Sequence, residues 1–140
     1  MLSAYSFTEA RSHLTAVVDR ALSHHPQIIK KRKQSEQDIV LIDIETQKQL
    51  LSHLSFSPEE LLEDDGSVTL ALDGLSIFAN GVTREEAKQD LLEQLHVYAE
   101  EYLDHIDQYR HAPNRIAHFP YIMRMALCDS EQELAQWMDA

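Results

Sequence analysis

The sequence predicts an α+β fold: a small N-terminal β-α-β-β-α unit, then a β-hairpin with a mostly helical C-terminal part. Three observations predict it. Ser/Thr-x-x-Glu capping boxes precede three apolar runs of helical period, at Ser6, Thr83 and Ser130. Short β-branched or apolar runs flank turn residues, around the polar stretch before Ile39 and around Asp73-Gly74. Charge is also divided unevenly along the chain. Residues 1–53 hold seven Lys+Arg against six Asp+Glu, whereas residues 54–140 hold five against eighteen, within a net charge of −12.

Residues 2–5 form a short extended segment. Ser6 with Glu9 then opens a helix whose apolar positions Phe7, Ala10, Leu14, Val17, Val18 and Ala21 share one face. His24-His25-Pro26 ends it, because proline disfavours helical geometry in the residue before it. Gln27-Ile28-Ile29 and Ile39-Val40-Leu41-Ile42 read as strands. Between them lies a polar connection that begins with Lys30-Lys31-Arg32-Lys33. Residues 45–54 read as a second helix and close a unit over 1–54.

Ser57-Pro58-Glu59-Glu60 has a capping serine, proline at the first helical position and early acids. Residues 55–66 are therefore read as a short helix and a linker ending at Asp64-Asp65-Gly66. In the module spanning 67–140, Val68–Leu72 and Leu75–Ala79 flank Asp73-Gly74, a hairpin signal. The longest helix is predicted over 83–109, with an apolar stripe of Ala87, Leu91, Leu95, Tyr98, Tyr102, Ile106 and Tyr109. Its opposite face carries Glu93, Glu100, Glu101, Asp104 and Asp107. Residues 110–119 are an irregular connection. Pro120 opens an apolar helix through Leu127, and Ser130 with Glu133 opens a terminal one holding Leu134, Trp137 and Met138.

The composition narrows the function. A single cysteine, Cys128, excludes an intramolecular disulfide, and its apolar helix suggests a buried, inert thiol. No apolar stretch approaches the roughly 20 residues of a membrane helix, and the N-terminus lacks the pattern of a signal peptide. A cytoplasmic protein is expected. The eight histidines show neither an HExxH pattern nor zinc spacing, so no metal is expected. No glycine loop or catalytic arrangement supports an enzyme or a cofactor.

The basic run is the candidate for nucleic-acid contact, since phosphate neutralisation and counterion release drive such binding. Lysines on a hairpin also protect a sheet edge. The acidic helix face is the candidate for a basic protein partner. It also fits an ordinary solvated face. Tyr98, Tyr102 and Tyr109 read as interface anchors or as core.

The stretch Tyr5-Ser6-Phe7-Thr8-Glu9-Ala10-Arg11-Ser12-His13-Leu14 resembles the opening of the Phd/YefM antitoxins. Ile28–Arg32 and Val40-Leu41-Ile42-Asp43 with Glu45 follow in that family's order, so the likeness covers about residues 1–54. The resemblance implies a homodimer that binds and represses its own operator, with a C-terminal segment that neutralises a toxin, often a basic ribonuclease of RelE type. It implies DNA contacts at Ser6, Thr8, Arg11, Lys31 and Arg32, to which the charge run adds Lys30 and Lys33. Toxin contacts are assigned to Glu93, Tyr98, Glu100, Glu101, Tyr102, Asp104 and Asp107. The sequence departs from the family in lacking glycine between Gln27 and Asp43 and in placing Glu36 and Asp38 among the basic residues. A second stretch, residues 65–103, resembles part of a HicB-type antitoxin through Gly81, Thr83, Glu85, Glu86 and Ala87. Two alternatives stay open: an acidic interaction module that dimerises without binding DNA, and a stand-alone repressor without a toxin.

Overall fold

The computed structural model describes residues 1–139. The chain divides into two compact units, Met1–Leu50 and Leu51–Ala140, both mixing helix and strand.

The first unit runs β1 (Ser3–Tyr5), α1 (Phe7–Ser12), α2 (Leu14–Leu22), β2 (Gln27–Ile29), β3 (Ile39–Leu41) and α3 (Ile44–Leu50). Strand β2 lies in the middle of its sheet, parallel to β1 and antiparallel to β3, with Tyr5 opposite Ile29 and Gln27 opposite Leu41. The Ser6 hydroxyl accepts the Glu9 amide at 3.1 Å, as the capping box requires. The predicted single helix is interrupted at His13 (φ −123°, ψ 33°). There the backbone N–H and the ring Nδ1 both meet the Glu9 carbonyl, at 3.0 and 3.1 Å. A side chain that competes for the preceding turn's carbonyl is a local alternative to continued helix. Helix α2 ends with His24 at φ 65°, the left-handed conformation commonly found just past a helix.

This unit buries little. Among the described residues its buried side chains are Ala10, Val17, Ala21 and the polar Gln27. Gln27 is satisfied internally, accepting from the Tyr5 hydroxyl at 2.8 Å and donating to the His25 carbonyl at 2.7 Å. Leu14, Val18 and Leu22 follow one another along α2 at four-residue intervals and all remain exposed.

The second unit begins with an antiparallel sheet of β4 (Glu59–Leu62), β5 (Val68–Leu72) and β6 (Ile77–Gly81), in that order. It continues with α4 (Arg84–Asp104), α5 (Ile106–Tyr109), α6 (Phe119–Ala126) and α7 (Glu131–Asp139). The helix expected near residue 57 is corrected to strand β4, with Glu59 opposite Ala71 and Leu62 opposite Val68. Pairing with β5 outweighs the local capping signal, and Phe56 just before it is 1% exposed in the core. The stretch read as a linker is therefore part of the packed unit.

The Asp73-Gly74 hairpin forms, but not around a two-residue turn. Leu72 pairs with Ile77, and the connection is a 3₁₀ turn over Asp73–Leu75 followed by Ser76 in left-handed conformation. Leu75 is buried and joins the core instead of opening the strand. The long helix stops at Asp104. His105 (φ −120°, ψ 35°) repeats the His13 device, with backbone N–H and ring Nδ1 each 3.1 Å from the Glu101 carbonyl.

The core lies between sheet and helices. Leu70, Leu72, Ile77 and Ala79 face Ala87, Leu91, Leu95 and Tyr102 of α4, with Ile122, Met125, Leu134 and Met138 closing it. Gly81 is fixed by close approach: a Cβ there would lie 2.4 Å from the Ala87 amide nitrogen and 2.7 Å from Glu86 Cβ. Thr83 caps α4 by accepting the Glu86 amide at 3.2 Å, and the Glu86 carboxylate returns to the Val82 N–H at 2.9 Å.

Candidate functional site

The basic candidates of the first unit form one small surface. The Arg32 guanidinium stacks over the Phe7 ring with 5.2 Å to its centroid, which joins the hairpin to the start of α1. Lys30, Lys31 and Arg32, with Phe7, Ile29 and Ile39, line a groove of about 480 Å³. Ser6 is engaged as the cap of α1, while Thr8, Arg11 and Lys33 are exposed. Apolar spacing places Phe7 on one face of the helix but says nothing of Arg32; their pairing depends on how the hairpin folds back.

The two acids inside the hairpin explain how it closes without glycine. Asp38 accepts the Lys31 amide at 2.8 Å and pairs with Lys30 Nζ at 3.6 Å. Glu36 accepts the Arg32 amide at 3.0 Å and takes the guanidinium in a two-point contact through Nε and Nη2. These bonds replace the backbone freedom a glycine would supply. They also hold the Glu36 carboxyl below its ordinary range, through Arg32, and the Asp38 carboxyl below its own, chiefly through the Lys31 N–H. The basic run is thus partly neutralised where it sits.

One group of titratable side chains lies elsewhere in this unit. His24, Asp43 and Glu45 place potential ligand atoms within 4.8 Å of one another. Asp43 is already engaged at the start of α3, accepting the Thr46 amide at 3.0 Å and hydroxyl at 2.6 Å, and His24 Nδ1 lies 3.2 Å from it. The cluster is accounted for as a helix cap with a histidine against it.

In the second unit the acidic candidates all lie on exposed surface, but not on one site. Glu93 and Glu101, with Asp90, Val97 and Tyr98, line a groove of about 530 Å³ along α4, whose other wall comes from residues 75–77 and 114–118. Glu100 faces a second groove of about 490 Å³ with Leu103, toward α6 and α7, and forms a pair with His96 at 3.3 Å. Asp104 and Asp107 line neither. Tyr102 is corrected from contact residue to core: it is 0% exposed and its hydroxyl donates to the Arg115 carbonyl at 3.0 Å. Cys128 is half-buried, with Sγ 3.6 Å from the Arg124 carbonyl.

At one end of the first of these grooves, Arg115 lies 4.2 Å from the centroid of Tyr109 and 5.6 Å from that of Tyr98. This region already holds a guanidinium against aromatic faces. Such placement is worth about 0.5–1 kcal/mol where exposed and more where dry. The connection 110–119 gave no sign in sequence that Arg115 would fold back onto the helix.

Among the described residues no helix is long and apolar enough to cross a membrane. No curated protein matches the chain. A solved structure resembles it along nearly its whole length: the antitoxin part of a proposed toxin/antitoxin system from Syntrophomonas wolfei subsp. wolfei. It has a TM-score of 0.87 and 26% identity, covering 98% of this chain and 96% of that one. The family model for PHD-like antitoxins of RelE/RelB toxin–antitoxin systems matches residues 1–139. The chain belongs to that PHD-like antitoxin family.

Proposed function

We propose that this antitoxin works in the cytoplasm by binding, without chemistry, to two partners of opposite charge. The acidic second unit neutralises a basic protein toxin, a ribonuclease of RelE type. The first unit, of Phd/YefM type, binds operator DNA as a homodimer and represses its own operon. The observation that carries this reading is the division of charge between the units, with the basic groove beside Phe7 in one and the carboxylates of α4 in the other. Dimerisation is supported by the exposed Leu14, Val18 and Leu22 on a unit with few buried side chains. The order of sheet, capped helix and Gly81 supports the HicB-like reading of residues 65–103.

DNA contact falls to Thr8, Arg11, Lys30, Lys31, Arg32 and Lys33. The test is fluorescence anisotropy with duplex from immediately upstream of the gene, against a scrambled duplex, over a salt series. Preferential binding with a steep salt slope is expected, and Lys31→Glu with Arg32→Glu should weaken it and flatten the slope. Equal binding to both duplexes by a dimeric protein removes the repressor half of the proposal. A second reading, a dimerising interaction module without DNA, is favoured by the engagement of Arg32 with Glu36 and of Lys30 with Asp38.

A further inference from the structure

We infer that the groove along α4 between Asp90 and Glu101 receives an arginine side chain of the toxin, with Glu93 as the carboxylate that pairs with it. This rests on the proposal that the second unit binds a basic toxin, and it names the place and chemistry of the contact.

Four observations support it. The groove follows Asp90, Glu93, Val97 and Glu101, at intervals of three and four, along one side of α4. That spacing covers about three helical turns, roughly 16 Å. Val97 stands in the middle and is 61% exposed, an apolar floor with nothing over it. Two of its carboxylates already have donors: Asp90 accepts from Gln94 at 3.0 Å and Glu101 from the Tyr109 hydroxyl at 2.7 Å. Glu93 is exposed and has no hydrogen-bond or ion-pair partner among the described residues. A long cationic side chain suits this arrangement, with its methylenes on Val97 and its charge at Glu93.

Arginine fits better than lysine. Its planar head pairs with a carboxylate through two parallel hydrogen bonds and stacks on aromatic rings. The chain's own Arg115 does the latter at the tyrosine end of the same groove. Charge complementarity decides the occupant: residues 54–140 hold eighteen acids against five bases, so a basic surface is drawn to this unit and an acidic one is repelled. Glu85, exposed in the first turn of the same helix, lies outside the groove.

The test titrates the full-length chain with the purified product of the adjacent reading frame by isothermal calorimetry. Glu93→Lys and, independently, Val97→Lys should each weaken binding tenfold or more. Glu85→Lys makes the same charge change on the same helix and should alter affinity less than threefold. Equal losses for Glu93→Lys and Glu85→Lys would overturn the groove assignment and leave a diffuse acidic field as the cause, with the antitoxin reading intact. No binding by the folded wild-type chain would instead remove the toxin-binding reading on which the groove depends.

Discussion

Tyr98 on α4 and His118 at the start of α6 are joined by a hydrogen bond of 2.6 Å between the phenol oxygen and Nδ1. Burial holds the His118 imidazole below its usual pKa, with the Arg115 charge acting the same way and a hydrogen bond to the Gly74 backbone opposing them. The ring is therefore neutral near pH 7. With its other nitrogen toward Gly74, Nδ1 accepts the tyrosine proton. One imidazole thus ties the long helix, the β5–β6 turn and the last helical pair together.

A pH dependence follows from that shift. The folded-state pKa lies below the unfolded value of about 6.5, so folding disfavours the bound proton. The stabilising contribution is complete above about pH 6.5 and is lost as pH falls from there toward the folded value. Urea midpoints at pH 7.5 and 5.5 should differ in that direction, and His118→Asn should reduce the difference. Tyr98→Phe removes the donor and should cost about 1 kcal/mol at pH 7.5. Equal pH sensitivity in wild type and His118→Asn would show that other groups carry it.

Gly81 and Gly74 make a matched pair of substitutions. At Gly81 a methyl group meets backbone at 2.4 Å, and the neighbour is the first turn of α4, which cannot swing away. Gly81→Ala should destabilise the second unit by about 1–3 kcal/mol, as overpacking does. Gly74 has open space around its Cβ position, so Gly74→Ala should fall within about 1 kcal/mol of wild type. Denaturant midpoints compare the two directly.

Arg124 is 7% exposed, and its Nε and Nη1 are buried without hydrogen-bond partners. Burial lowers its pKa, and its guanidinium lies 3.8 Å from the centroid of the Trp137 ring. Two unmade hydrogen bonds outweigh one cation–π contact, since each buried unsatisfied donor costs about 1–3 kcal/mol. Arg124→Met should raise stability by about 1 kcal/mol. Emission from Trp137, the chain's single tryptophan, follows the transition in both proteins. A lower midpoint for the variant would show that the stacked cation stabilises the fold.

Glu36 restrains the hairpin it lies in. Glu36→Gln removes the charge facing Arg32 while keeping an acceptor for the Arg32 amide. If the hairpin contacts phosphates as proposed, affinity for duplex DNA should rise. The salt slope should steepen by about one per protomer as a further phosphate is neutralised. Anisotropy titrations at several salt concentrations read both quantities.

Much of the fold was legible in local chemistry. All three capping hydroxyls accept the amide three residues on, and the carboxylate returns at Thr83 and at Ser130, where Glu133 accepts the Asp129 N–H at 2.8 Å. A capping box is decided within four residues, so sequence reveals it. Strand β4 was not legible, because its partner strand and the burial of Phe56 are settled by residues far along the chain. The breaks at His13 and His105 were hidden too. Apolar periodicity continues across both, and only the ring's competition for a carbonyl shows why the helix stops. For the candidate site, sequence placed the charges. It could not place the grooves that divide Glu93 from Glu100, since helical phase fixes direction but not what lies opposite, whereas the apolar stripe did point Tyr102 inward.

The sparse interior of the first unit bears on how a repressor built on it would respond to supply. With only Ala10, Val17 and Ala21 as its buried apolar side chains, a lone copy sets little dehydration against the entropy of ordering about fifty residues. A second copy covering Leu14, Val18 and Leu22, as proposed, makes folding and pairing one event. On that proposal assembly would follow the square of the free concentration, so operator occupancy would fall faster than antitoxin abundance, and dilution at cell division would become a signal in itself.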